Sequence, residues 1–143
     1  MRYDLRALRR FLAFSLPLLL IAMGLFHFVL EALKRAPDPA VLSHAEVTRL
    51  PGAVMLATWV LEAVALSALY LLVQGRGRGR WLSGLLAGWI AWVFRGPLLV
   101  VTVVGLAGLP RGPWWTLSFS WLVLYTVCGL ILGAAASAAA LQS

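Results

Sequence analysis

Four ionisable side chains stand within long apolar stretches of this sequence: His27 and Glu31 in the first, Glu62 in the second and Arg95 in the third. A carboxylate and a guanidinium at one depth can form an ion pair. Alternatively, the guanidinium can hold a ligand carboxylate or phosphate, with the protein carboxylate as the counter-ion it leaves. Histidine adds a group that exchanges protons near neutral pH. Carboxylates are scarce, with five Asp and Glu in 143 residues. A charge at mid-bilayer depth costs about 2.5 to 3.5 kcal/mol on insertion scales, so it faces protein or water and often marks function.

Spacing extends this set. His27 and Glu31 stand four positions apart, on one helical face. Thr58 and Tyr70 flank Glu62 on its own face, and Trp92 precedes Arg95 by one turn. At about 1.5 Å per residue, Glu62 lies roughly 14 Å from the outer end of its stretch, the middle of a hydrocarbon core about 30 Å thick. Arg95 reaches a similar depth from the inner end of the third stretch, so the two can face each other. The groups descend from Glu31 through His27 to Glu62 and Arg95, and the ionisable side chains stop there. Glu62, Arg95, His27, Glu31, Thr58, Tyr70 and Trp92 are therefore the candidate ligand-binding or proton-coupling residues, in a pocket that opens outward.

Positioning these groups requires membrane-spanning helices. The chain is 62% apolar and 12% charged, far from the profile of a soluble domain. Its length allows about four crossings of roughly 20 residues each, so we expect an all-α integral membrane fold, one transmembrane domain over residues 1–143, with spans at about 11–33, 53–74, 81–109 and 114–140. The first stretch follows a basic head and is longer than a signal-peptide core, with no small-residue cleavage site behind it. It reads as an uncleaved span. Residues 39–50 follow an Asp38-Pro39 start signal and form a short interfacial helix between the first two spans, or else, from Ser43 and Glu46, the first turns of the second. The third stretch exceeds a straight crossing, and Gly96-Pro97 predicts a kink at its centre.

Arg2, Arg6, Arg9 and Arg10 with Arg76, Arg78 and Arg80 lie at one end of the spans, against Lys34, Arg35, Arg49 and Arg111 at the other. This asymmetry predicts that both termini are cytoplasmic, in a bacterial-type inner or plasma membrane. The net charge of +7 then reflects topology and contact with anionic lipid headgroups. Nucleic acid is not an expected partner, because no basic groove with stacking aromatics is evident. Gly84 and Gly88, and Gly129, Gly133 and Ser137, recur at four-residue steps. Such stripes let helices approach closely within one bundle, or make Gly129, Gly133 and Ser137 the face of a homo-oligomer or a larger membrane complex.

Several chemistries find no residues. Cys128 is the sole cysteine, a small packing residue. The glycines of Gly75-Arg76-Gly77-Arg78-Gly79-Arg80 lack the lysine and hydroxyl of a phosphate loop. His27 and His44 are too far apart along the chain for bis-histidine haem, and their spacing with Glu31 and Glu46 is not diagnostic of a metal, so no cofactor is expected. Three function classes stay open. One is binding or transport of a small anionic or lipid-like solute with proton coupling. Another is an accessory subunit with Glu62-Arg95 as a structural pair. The third is a lipid-modifying enzyme using His27 and Glu62 as acid and base, for which no catalytic set names a reaction.

Overall fold

A computed structural model of the chain describes residues 4–34, 52–107 and 111–140. Its elements are α1 (Leu5–Lys34), α2 (Gly52–Gln74), α3 (Arg80–Val93), a π-helical turn (Phe94–Leu98), α4 (Leu99–Ala107) and α5 (Arg111–Ala138). Four helical stretches are long and apolar enough to cross a membrane: Leu5–Leu30, Gly52–Gln74, Arg80–Leu106 and Trp114–Ala138. No strand occurs among the described residues. The segment expected to form an interfacial helix, 39–50, lies outside them.

The first helix begins well before the apolar run because Asp4 caps it. Its Oδ1 accepts from the Arg6 backbone N–H at 3.1 Å, and its carbonyl accepts from Leu8 at 2.9 Å. A side-chain acceptor at this position satisfies one of the amides a helix start leaves open. The arginine-rich head continues the helix, since Arg, Leu and Ala are good helix formers.

The four stretches alternate in direction. Ser15 meets Ser67 at 3.5 Å and Phe11 stacks on Tyr70 at 5.3 Å, while His27 meets Trp59 at 5.5 Å, so α1 and α2 run antiparallel. In the same sense Trp92 reaches Ser118 and Trp89 reaches Thr126 between α3 and α5. The order around the bundle is α1, α2, α3, α5, with α5 returning to α1. This is the up-down-up-down arrangement that short connections favour.

The tightest contact is between α3 and α5, and glycine makes it possible. A side chain at Gly84 would collide with the Gly129 carbonyl, and one at Gly88 with the Tyr125 carbonyl. From the other side, a Cβ at Gly129 would meet the Gly84 oxygen at 2.5 Å. The two stripes thus face each other inside the chain, in the close approach that small residues allow. Ser137 lies exposed beyond them, its hydroxyl donating to the Gly133 carbonyl at 3.0 Å.

The halves of the bundle differ. Towards the α2–α3 turn, Phe11, Leu19, Leu66, Tyr70, Cys128 and Leu132 form a closed core, with Ser15, Ser67 and Ser83 buried among them. The periphery is apolar instead of charged: Phe28, Leu61, Leu72 and Leu106 are all at least two-thirds exposed. A surface of that kind is compatible with lipid as its solvent.

Candidate functional site

The cavity lies in the half of the bundle away from the closed core. It encloses about 210 Å³ and is lined by Met23, Phe26, His27 and Leu30 of α1, Trp59 and Glu62 of α2, Arg95, and Leu117, Trp121 and Leu124 of α5. Three walls come from helices packed in sequence. The fourth is the π-helical turn.

That turn has a local cause. Proline supplies no N–H and its ring collides with the carbonyl one turn back in a regular helix, so a wider turn at Pro97 relieves the conflict. The change of register carries Arg95 within the turn itself. Gly96 is buried behind it, where a Cβ would press on the Ser118 hydroxyl at 2.7 Å and the Trp92 indole nitrogen at 2.8 Å. Trp92 in turn donates its indole N–H to the Ser118 carbonyl at 2.8 Å and so pins the turn against α5.

Glu62 is the junction of the site. Tyr125 donates its hydroxyl to Oε1, and Arg95 Nη1 stands 3.5 Å from Oε2. The first contact crosses the bundle from α5 to α2, and the second joins α2 to the break between α3 and α4. The Arg95 guanidinium also lies over the Trp121 ring, 5.6 Å from its centroid. A cation over an indole face gains about 0.5 to 2 kcal/mol, more when dry. The arginine is not sequestered: 41% of its side chain is exposed, against 14% for Glu62. His27 meets the edge of Trp59 on the opposite wall.

Of the residues singled out from the sequence, the structure brings Glu62, Arg95 and His27 into one cavity. Trp92 supports the π-helical turn from behind. Thr58 is exposed and donates to the Val54 carbonyl at 2.9 Å. Tyr70 is fully buried in the closed half, against Phe11. The Glu31 side chain lies outside the described set. No protein family, curated protein or solved structure matches the chain.

Tyr125, Trp121 and Trp59 contribute to the site without having been marked by the sequence. A signal for two of them exists, because Trp121, Tyr125, Gly129 and Gly133 stand at four-residue steps. Once the glycines are assigned to the α3 contact, the same helix face carries Trp121 and Tyr125 towards the cavity. Trp59 stands three positions before Glu62 and shares its cavity wall. Among the described residues, no group of three or more His, Cys, Asp or Glu side chains is placed to hold a metal ion.

Proposed function

We propose that this chain is an integral protein of an inner or plasma membrane, with one transmembrane domain over 1–143 and both termini cytoplasmic, whose outward pocket binds or transports a small anionic or lipid-like solute. Arg95 is the anchor for the anion and Glu62 is the counter-ion displaced by it. A helix kink at Gly96-Pro97 aims the guanidinium into the pocket. The observation that carries this reading is the partial exposure of Arg95 in a cavity it shares with Glu62 and His27. A pair serving architecture alone is expected to have its remaining donors met by hydrogen bonds within the protein.

Exchange of the ion pair for a ligand has a defined order. The incoming carboxylate or phosphate takes the guanidinium in a bidentate contact. Glu62 swings away from Arg95 but keeps the Tyr125 hydroxyl, and the site then holds two like charges until a proton arrives. Uptake of a proton by Glu62 or His27 couples loading to proton movement. The closed core below the pocket means that transport, as opposed to binding, requires a second conformation.

Proteoliposomes loaded with a pH-sensitive dye test this reading. Addition of soluble phosphates and carboxylates, or of anionic lipid, is expected to move protons in wild-type vesicles. Folded protein that moves no protons and retains no anion would sink the proposal.

A second reading is favoured by the triple link itself. Tyr125, Glu62 and Arg95 tie three sides of the bundle together, as a latch in an accessory subunit would. Purification of a stable, defined species without partner proteins counts against that subunit role, including one docked through Ser137.

A further inference from the structure

Beside the ion pair, two helix faces stand exposed. Glu62 and Arg95 bring α2 and the π-helical turn together. One turn outward on α2, Thr58 continues the Glu62 face, and a further turn on stands Val54. On the other side, Leu98, Leu99 and Thr102 continue the Arg95 face along α4. All five are exposed, with Val54 at 47%, Leu98 at 49% and Leu99 at 40%. The chief partners of α4 are the π-helical turn and α5, while α2 packs mainly on α1 and α3. The two faces therefore diverge from the ion pair as a mainly apolar cleft, Val54, Leu98 and Leu99 apolar and the Thr58 and Thr102 hydroxyls donating to the Val54 and Leu98 carbonyls.

The charge at the apex of this cleft is incompletely met. Among the described residues the Arg95 guanidinium has Glu62 at 3.5 Å and the Trp121 ring as partners. A guanidinium carries five N–H donors in a fork that fits two phosphate oxygens at once. In a bilayer the cleft faces hydrocarbon, where the guanidinium donors that Glu62 does not meet gain from a further acceptor. The walls accept an acyl chain and the apex accepts an anion, and one molecule supplies both.

We infer that the site takes a phospholipid with an anionic headgroup, entering sideways from the outer leaflet between α2 and α4, its phosphate on Arg95 and its chains in the cleft. This rests on Arg95 as the ligand anchor proposed above. It adds the direction of entry and the class of ligand. Glu62, held by Tyr125, is displaced as the phosphate docks and takes up a proton, so the site keeps the single positive charge of Arg95. Phosphatidylglycerol, which neutralises it, binds more tightly than a zwitterionic lipid of equal chain length, whose own cation is left unmatched.

The test uses the full chain in nanodiscs of phosphatidylglycerol and phosphatidylcholine, released for native mass spectrometry, with folding checked by gel filtration and thermal denaturation. Wild-type protein is expected to keep one phosphatidylglycerol in preference to phosphatidylcholine by tenfold or more, and Arg95→Gln to abolish that preference. Val54→Trp and Thr102→Trp, which narrow the cleft from its exposed faces about two turns from the pair, are expected to reduce lipid retention at least tenfold while soluble glycerol phosphate still binds. If both tryptophan variants retain lipid as the wild type does, lateral entry is overturned and the anion site stands. If Arg95→Gln keeps the full preference for phosphatidylglycerol, the anion site itself is overturned.

Discussion

Tyr125 and Glu62 join the two helices that lie diagonally opposite in the bundle. The tyrosine donates to Oε1 from α5 while Oε2 faces Arg95, so the carboxylate stays oriented whether or not the arginine is engaged elsewhere. An ion pair with a third member of this kind can open without losing both of its anchors. In the proposed exchange, this lets Glu62 leave Arg95 while it stays bound to Tyr125.

Removal of the hydroxyl isolates this contribution. Tyr125→Phe keeps the ring and deletes the donor, and a hydrogen bond to a charged group is worth about 1.5 to 3 kcal/mol. The variant is expected to lose stability in that range in detergent unfolding experiments. It also loses the order of exchange: ligand still binds at Arg95, with weaker proton coupling.

The α3–α5 contact predicts a ranked pair of substitutions. At Gly84 a methyl group runs into a backbone carbonyl, which can move only if the helices separate. At Gly133 it meets the indole of Trp81 at 2.9 Å, and Trp81 is 52% exposed and able to shift. Overpacking costs about 1 to 3 kcal/mol and sometimes more. Gly84→Ala is expected at or beyond the top of that range and Gly133→Ala near the bottom, read from thermal denaturation of purified protein.

Topology is open to labelling. Gly79 and Gly52 lie at opposite ends of α2 and α3, and a side chain at either meets nothing within 4 Å. The native thiol, Cys128, is buried and should not react. A membrane-impermeant maleimide is expected to label Gly52→Cys in intact cells and Gly79→Cys after permeabilisation. The reverse pattern overturns the outward orientation of the pocket.

How much could be read from the chain is clearest at particular residues. Glu62 and Arg95 could be matched because a charge in an apolar run has a calculable depth, and equal depth on neighbouring helices brings side chains together. Four apolar helices follow from run length in the same way. Tyr70 shows the limit. It shares a helix face with Glu62 in sequence, but lies two turns deeper, where Phe11 closes over it. Depth along the helix, and not face alone, decides which residues share a pocket. Tyr125 and Trp121 were hidden because nothing in an aromatic, uncharged run fixes its rotation. The glycine stripe fixes it, but only after its partner helix is known.

The most direct measurement is proton flux in proteoliposomes carrying the double replacement Glu62→Gln/Arg95→Gln. Removing both charges together spares the fold the cost of leaving one unpaired, so folded protein is expected at near wild-type yield. Anion-driven proton movement is expected to fall to the level of empty vesicles, as the proposed role of the pair requires. Undiminished flux from the folded double variant would contradict it and leave the pair as a latch between helices.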